Sequence, residues 1–211
     1  MFKKLNILFV ILFLIILISS PVLADQIELQ NGEKLRGNVQ NSNLKLRTDY
    51  AEINIQTQYL NKISRENGSF VLKASENNSF SGELLTEIVF AVNGSERNIS
   101  PSSLNYIDFS DNKTFNNNKG LSVTLRNGDF FFASAVENGI SINTSLGSSL
   151  NLNYNNISSI EYLNNEGLYL IKRKNNSNIK SDLSGQKMIV WPAAGDMFEL
   201  GFDYVRKIVF N

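Results

Sequence analysis

The strongest constraint on the fold is a pattern that returns four times along the chain. Each occurrence ends with an apolar residue, two variable residues and an isoleucine, and these isoleucines are Ile63, Ile107, Ile160 and Ile208. Before each of them, apolar and polar residues alternate in short runs, which is the period of a half-buried β-strand. A supersecondary unit that recurs in this way indicates a repeat architecture. We therefore predict an all-β protein of four tandem repeats, each with about five short antiparallel strands.

The repeats are predicted to span 26–67, 69–112, 120–167 and 168–211, and a polar, Asn-rich linker at 113–119 divides them into two pairs. A unit of about 44 residues lies near the lower size limit of domains that fold without disulfides or metals. The chain contains no Cys. We therefore expect neighbouring repeats to share apolar surface or to pair strands, as in other repeat arrays.

A hairpin is predicted at the start of every repeat. Asn31-Gly32 and Asn127-Gly128 each stand between two alternating runs, and Asn-Gly in that position predicts a type I′ turn with φ > 0 at both central residues. The second and fourth repeats carry Asn77-Asn78 and Asn175-Asn176 in the same place. Because Asn tolerates the left-handed region better than other residues with a Cβ atom, these pairs also favour a turn.

The order of features within a repeat resembles that of small SH3-like or Sm-like β-barrels. The resemblance rests on the following residues: Asn31-Gly32, Gly37, Thr48 and Leu60 to Ile63 in the first repeat, and Asn127-Gly128, Thr144, Gly147 and Ile157 to Ile160 in the third. The predicted repeat is also similar to the short β-repeats of uncharacterised exported bacterial proteins. The resemblance implies binding or scaffolding rather than catalysis. A continuous β-array is an open alternative to separate barrels, and a four-bladed β-propeller is the main rival architecture.

The first 24 residues have the pattern of a secretory signal peptide. Lys3 and Lys4 precede an apolar run at 7–18, and a small residue, Ala24, stands before Asp25. We predict a signal peptide at 1–24 that is cleaved between Ala24 and Asp25. A retained anchor is the alternative, although the run is shorter than the roughly 20 residues that span a bilayer. We therefore expect export to the periplasm or beyond, with no membrane attachment after cleavage.

The composition excludes several functions. The chain has neither His nor Cys, so it cannot form a Ser-His-Asp triad, a Cys-His dyad, a Cys/His zinc site or a haem or iron–sulfur ligand set. After residue 24 it has 18 basic and 20 acidic side chains, a net charge of −2, which gives no electrostatic reason to bind nucleic acid. We expect no cofactor and no metal. The predicted function is a non-catalytic binding or scaffolding role in the bacterial cell envelope, with an envelope protein or a glycan as partner.

Carboxylates are the remaining candidates for catalysis, because two of them suffice as acid and base in a glycosidase. The candidates are Asp129, Asp182, Asp196, Glu199 and Asp203. Several of them are expected beside turns or on outward strand positions, where charged residues are common for reasons of solubility alone. A carboxylate-dependent glycan hydrolase is therefore the alternative function.

Aromatic residues are the candidates for partner binding. In the run Phe130-Phe131-Phe132, alternation can bury only one face, so either Phe131 or its two neighbours point away from their own repeat. The outward rings are expected to pack on a neighbouring repeat or to form an exposed platform for a glycan or protein. Trp191 raises the same alternatives.

Overall fold

The computed structural model describes residues 24–110, 113–114, 120–143 and 149–211. These residues form twenty β-strands and five single turns of 3-10 helix, with no α-helix among them, so the all-β prediction is confirmed. The described part of the chain has no helix that is long and apolar enough to cross a membrane. The predicted signal peptide up to residue 23 and most of the predicted linker, 115–119, lie outside the described residues.

The strands are short and follow one another with little intervening chain. In the first half they are β1 (Asp25–Leu29), β2 (Lys34–Val39), β3 (Asn43–Arg47), β4 (Glu52–Gln56), β5 (Leu60–Glu66), β6 (Ser69–Ala74), β7 (Ser79–Leu84), β8 (Ile88–Val92), β9 (Ser95–Ile99) and β10 (Leu104–Asp108). In the second half they are β11 (Leu121–Leu125), β12 (Phe130–Ala135), β13 (Gly139–Asn143), β14 (Ser149–Asn153), β15 (Ile157–Leu163), β16 (Leu168–Arg173), β17 (Asn178–Ser181), β18 (Lys187–Pro192), β19 (Phe198–Gly201) and β20 (Val205–Phe210).

Hairpins are exchanged between the first two predicted repeats. The hairpin β1–β2 pairs with β10 and β8, which belong to the second repeat. In return, β6–β7 pairs with β5 and β3 of the first repeat. The two closing strands β5 and β10 pair with each other, and there Ile63 lies opposite Ile107. The first ten strands therefore form one open run in the order β4-β3-β7-β6-β5-β10-β1-β2-β8-β9.

The second half has the same arrangement. The hairpin β11–β12 pairs with β20 and β18, and β15 pairs with both β16 and β20. Ile160 lies opposite Ile208, in the place that Ile63 and Ile107 occupy in the first half. One difference is that the β13–β14 hairpin forms a sheet of its own, and it contacts β17 through the Ser181 hydroxyl, which donates to the carbonyl oxygen of Asn143 at 3.2 Å.

We describe the fold as four modules of five strands each. Module 1 is β9-β8-β2-β1-β10, module 2 is β4-β3-β7-β6-β5, module 3 is β19-β18-β12-β11-β20, and module 4 is β15, β16 and β17 with the β13–β14 hairpin. The sheets are open rather than closed barrels. Of the architectures considered from the sequence, the continuous array is the one that forms. A propeller is not formed, because its blades would each keep their own strands.

A small residue recurs where the second strand of each opening hairpin passes under the neighbouring strand. In each opening hairpin, one buried or half-buried residue of the second strand lies opposite the first strand, and a small residue follows it two positions later. These small residues are Gly37, Gly82, Ala133 and Ser181. A Cβ atom on Gly37 would overlap the carbonyl oxygen of Ala91, and one on Gly82 would overlap that of Arg47. At Gly37 and Gly82 the close approach of the two backbones therefore leaves no room for a Cβ atom.

The opening turns differ from the type I′ prediction. Gly32 has φ 85° and Gly128 has φ 96°, whereas the preceding Asn of each turn is not in the left-handed region. The Asn side chains serve another purpose: Asn31 Oδ1 accepts a hydrogen bond from the N–H of Glu33 at 2.9 Å. Turns with φ > 0 at both positions occur instead at Asn67-Gly68 and Asn93-Gly94. At the two opening turns, Asn-Gly thus predicted the hairpin correctly but not the type of its turn.

Candidate functional site

The two halves of the chain meet at a junction between module 2 and module 3. Phe131 of β12 is fully buried and stacks on Phe80 of β7, with the ring centroids 5.4 Å apart. The backbones also meet, because Phe130 pairs with Ser79 across the junction. Since stacked aromatic rings contribute about 0.5–1.5 kcal/mol beyond their buried area, this pair is a central element of the contact between the halves.

A buried carboxylate fixes the geometry of the junction. Asp129 is 1% exposed, and its Oδ2 accepts hydrogen bonds from the Tyr50 hydroxyl at 3.0 Å, the N–H of Ser81 at 3.0 Å and the amide of Asn127 at 3.1 Å. Two of these donors belong to module 2. Burial, and then the negative charge of Asp129, raises the pKa of Tyr50 well above its usual value, which keeps the phenol protonated and able to donate.

The local sequence explains why Asp129 reaches this position. It follows the Asn127-Gly128 turn directly, and its own N–H donates to Asn127 Oδ1 at 3.0 Å. Tyr50 lies in the turn between β3 and β4, where Thr48 Oγ1 accepts from the N–H groups of Tyr50 at 3.2 Å and Ala51 at 2.9 Å. Two tight turns, one from each half, therefore place the two members of the buried pair against each other.

Beside this pair lies a cavity of about 390 Å³, which we call the junction cleft. Module 2 contributes Asp49 and Tyr50, and module 3 contributes Arg126, Asp203 and Tyr204, together with Leu125 and Asn127. The ring of Tyr204 is partly open to solvent, with the residue 41% exposed. The cleft thus has aromatic walls, two carboxylates and a guanidinium group, and it lies at an interface between modules, where ligand sites are common.

Arg126 is held in place by aromatic neighbours. Its Nη2 donates to the Tyr169 hydroxyl at 2.8 Å, and its guanidinium carbon lies 3.7 Å from the centroid of the Tyr162 ring. The Tyr169 hydroxyl in turn donates to the carbonyl oxygen of Phe202. Burial raises the pKa of Tyr169, so the phenol remains a donor. The positive charge is therefore fixed against these two rings rather than mobile on a long side chain.

The chemistry of the cleft suits a ligand with many hydroxyl groups. Carboxylates and amide oxygens accept hydrogen bonds, a guanidinium group donates them, and the face of an aromatic ring packs against the apolar side of a ring-shaped ligand. A metal ion has no comparable set of ligands, since no group of three or more Asp or Glu residues within the described ranges could hold one.

The structure separates the five carboxylates that the sequence suggested. Only Asp203 lines the junction cleft, where it also accepts from the N–H of Gly185 at 3.0 Å. Asp129 is buried, Asp196 accepts from an Asn side chain at 2.8 Å, and Glu199 is paired with a Lys at 2.8 Å. Hydrogen bonds from Ser184 lower the pKa of Asp182, which lies elsewhere on the surface.

The carboxylate that accompanies Asp203 in the cleft is Asp49, which the sequence did not single out. Asp49 and Tyr50 are far from Asp203 and Tyr204 along the chain, and a turn between two strands gave no signal of a site. The neighbouring Thr48 entered the sequence analysis only as one of the residues that carry the resemblance to small β-barrels. The docking of the two halves alone brings these residues together.

The four aromatic candidates fall into three environments. Phe131 is buried in the junction, so it is not available to an external partner. Phe130 and Phe132 are half-buried and contact each other edge to face, with centroids 5.2 Å apart. Trp191 projects from β18 and is 60% exposed. Trp191 is therefore the member of this set that offers a ring to solvent.

The predicted cleavage point adjoins the first strand. Ala24 precedes β1, and Asp25 is its first residue. The Asp25 carboxylate accepts from the N–H of Val39 at 2.9 Å and from the N–H and hydroxyl of Ser110 at 2.9 and 3.1 Å. The side chain of Asp25 therefore ties the end of β2 to the segment after β10.

Comparisons with known proteins give no relative for this chain: no family model, no curated protein and no solved structure matches it.

Proposed function

We propose that the chain is an exported, non-catalytic binding protein of the bacterial cell envelope, and that the junction cleft binds a glycan. The observation that carries this proposal is the cleft itself, in which the exposed ring of Tyr204 lies with Asp49, Asp203 and the anchored Arg126. Export is supported by the signal-peptide pattern at 1–24. The lack of His and Cys favours binding over catalysis, because most common catalytic sites need one of them.

The rest of the array supports this role as a scaffold. A ligand bound between two bodies requires that these bodies keep a fixed relation, and the buried link from Tyr50 to Asp129 provides one directly beneath the cleft. Preorganised walls reduce the entropy that binding would otherwise cost. The four modules would then hold the cleft at a constant place in the envelope.

Glycan binding can be tested with the protein that begins at Asp25. Calorimetric titration with a panel of soluble envelope polysaccharides and oligosaccharides should give saturable binding to at least one. Tyr204→Ala should weaken it about tenfold or more, which corresponds to about 1.4 kcal/mol, because it removes the exposed ring. Trp191→Ala is the matched control, since it removes another exposed ring outside the cleft, and it should leave affinity unchanged.

The opposite result would locate the site elsewhere. Loss of binding with Trp191→Ala but not with Tyr204→Ala would make β18 the platform and would contradict the role of the cleft. No binding to any glycan by the correctly folded protein would contradict the proposed ligand class.

A glycan hydrolase is the second candidate, because Asp49 and Asp203 are two carboxylates in one cleft. This arrangement is the minimum that glycoside hydrolysis requires. The test is release of new reducing ends from the same glycan panel. Activity that Asp203→Asn abolishes, while glycan binding is kept, would establish the enzyme and would overturn the non-catalytic proposal.

Export and cleavage have their own test. The full chain, produced in a bacterium with its first 24 residues intact, should be recovered outside the cytoplasm with Asp25 as its N-terminal residue. Recovery of the intact leader in the membrane fraction would support a retained anchor instead.

A further inference from the structure

The second strand of the β13–β14 hairpin has an unpaired edge. In an antiparallel pair, the N–H and C=O groups of every second residue bond to the partner strand, and those of the residues between point away from it. The N–H of Tyr154 donates to the carbonyl oxygen of Asn138 at 2.9 Å, so Leu152 also bonds to β13, whereas the backbone groups of Asn151 and Asn153 point away from it. Within the described ranges, β14 pairs with no strand other than β13.

The corresponding edge of module 2 is occupied. Its strand β4 pairs with the strand before it and leads directly into a turn of 3-10 helix, as β14 does. The N–H of Gln56 donates to the carbonyl oxygen of Ala194 at 2.9 Å, and the carbonyl oxygen of Asn54 accepts from the N–H of Asp196 at 3.1 Å. The Asn54 amide also donates to the Asp196 carboxylate at 2.8 Å. A short segment of module 3 therefore extends β4 on its outer side, and it runs antiparallel to β4.

The β14 edge offers the same groups in the same places. The register of the two hairpins puts Asn151 at the position of Asn54, and Asn153 at the position of Gln56. An outward carbonyl oxygen, an outward N–H and an asparagine amide are thus repeated, but no segment of the described chain bonds to them. The edge of module 4 has the donors and acceptors of a strand-binding site without its strand.

The β14 strand also lacks the features that protect exposed edges from pairing. Charged side chains, proline and bulges serve that purpose in β-proteins. The sequence of β14 is Ser-Leu-Asn-Leu-Asn, and its pairing with β13 contains no bulge. In contrast, β9, the edge strand of module 1, carries Glu96 and Arg97. Leu150 is 38% exposed, whereas Ile53 at the same position of β4 is 2% exposed, so β14 is less covered than its counterpart.

We propose that β14 binds an extended peptide of small residues that carries a carboxylate, and that the peptide adds antiparallel to its edge. The peptide backbone accepts from the N–H of Asn153 and donates to the carbonyl oxygen of Asn151, and the carboxylate accepts from the Asn151 amide. The class follows from the segment that β4 pairs with, Ala194-Gly195-Asp196. A Cβ atom on Gly195 would lie 2.9 Å from the carbonyl oxygen of Asn54, so the residue between the two backbone bonds should be glycine. Main-chain bonds of this kind provide the affinity of strand addition, and side-chain contacts provide its specificity.

This peptide site is separate from the proposed glycan site. A cavity of about 420 Å³ lies along the β13–β14 hairpin, where Asn151 and Asn153 line it together with the small residues Gly139 and Ser141. It shares no lining residue with the junction cleft. Loss of one binding activity should therefore leave the other unchanged.

The test uses the protein that begins at Asp25, with acetyl-Ala-Ala-Gly-Asp-amide as the probe. We expect NMR titration to show saturable shifts of the Asn151 and Asn153 amide signals. Methylation of the aspartate backbone nitrogen of the probe should weaken binding about tenfold or more, because it removes the N–H that bonds to Asn151. Methylation of the glycine nitrogen is the control and should be tolerated, since the corresponding N–H of Gly195 donates to Pro192 and not to β4. No saturable shift, or equal effects of the two methylations, would overturn the proposal.

Variants locate the site within the protein. Asn151→Asp should weaken probe binding about tenfold, because it replaces the donating amide with a carboxylate that repels that of the probe. Asn98→Asp makes the same substitution at an exposed position of the other edge strand, β9, and should leave binding unchanged. Unchanged binding by Asn151→Asp, or shifts at β9 instead of β14, would contradict the proposal. Dimerisation of the protein without the probe, abolished by Asn151→Asp, would replace the peptide with a second copy of the chain as the occupant.

Discussion

The buried bond between Tyr50 and Asp129 leads to a quantitative prediction about how the halves of the chain are held together. Tyr50→Phe removes the hydroxyl and keeps the ring, whose centroid lies 5.7 Å from that of Phe198 and 6.3 Å from that of Tyr204. A hydrogen bond to a charged group contributes about 1.5–3 kcal/mol. Because the Asp129 carboxylate keeps its two other donors, we expect the variant to lose about 2 kcal/mol of unfolding free energy.

Asp129→Ala should cost more, since it removes the acceptor of all three bonds. Loss of one member of a buried charged network typically costs about 3–5 kcal/mol. In the Asp129→Ala background, Tyr50→Phe should then cost almost nothing, so the coupling energy in a double-mutant cycle should be about 2 kcal/mol. Urea unfolding followed by far-ultraviolet circular dichroism measures all four proteins.

Tyr204→Phe is the control, because the Tyr204 ring lies in the same cleft but its hydroxyl bonds to no described residue. This variant should change the unfolding free energy by less than about 0.5 kcal/mol. A Tyr50→Phe effect as small as that of the control, or independent additive effects of the two substitutions, would refute the inferred role of the pair.

Two further predictions concern pH and the close strand crossings. Folding raises the pKa of Tyr50 above the ordinary value of 10, so the contribution of Tyr50 to stability is complete below pH 10 and declines at higher pH, by at most about 1.4 kcal/mol per pH unit. Urea unfolding at several alkaline pH values should therefore show a smaller decline of the unfolding free energy for Tyr50→Phe than for the unchanged protein. An identical decline in the two proteins would contradict this prediction. Gly82→Ala should lower the unfolding free energy by about 2–3 kcal/mol, because the new Cβ atom forces β7 away from β3. Gly201→Ala is the control: its new Cβ atom would make only an ordinary 3.4 Å contact, so it should lower the unfolding free energy by less than about 1 kcal/mol. Equal losses in thermal or urea unfolding would refute the steric argument.

Within the described residues, the outer modules lack the aromatic docking surface of the junction between modules 2 and 3. In module 1, Leu35 takes the position of Phe131, and its neighbours are Lys34 and Arg36. Glu33 takes the position of Asp129, but it is partly exposed and forms an ion pair with an arginine. In module 4 the equivalent of Phe80 is Ile179, flanked by Asn178 and Lys180. Charged and polar residues thus replace the aromatic docking surface at both ends, as terminal repeats in other arrays do.

The period of the sequence was sufficient to predict the strands but not their partners. Alternation identified the inward residues, including all four closing isoleucines, because a strand that buries one face needs an apolar residue at every second position. The exchange of hairpins could not be predicted in the same way. Ile63 and Ile107 end predicted repeats with the same apolar pattern, so the local pattern does not distinguish which of the two closing strands β1 will pair with.

The candidate sites were less predictable for a related reason. One of the two alternatives for the Phe130-Phe131-Phe132 run was that one face of it packs against a neighbouring predicted repeat. Phe131 packs in this way on Phe80. Asp49 and Tyr204 gave no signal, because a cleft between two bodies depends on how they dock, which no local pattern encodes.

The exchange of hairpins is the central claim, and disulfide formation tests it most directly, since the chain has no cysteine of its own. Gln26 lies opposite Asp108 across β1 and β10, so Gln26→Cys with Asp108→Cys should oxidise readily to an intramolecular disulfide, detected by mass spectrometry of the digested protein. Gln26→Cys with Ser64→Cys should not, because β10 separates β1 from β5 by two strand spacings, about 10 Å, beyond the roughly 4.4–6.8 Å that a disulfide spans. Ready oxidation of the second pair but not the first would show that the first repeat closes on itself and would contradict the account.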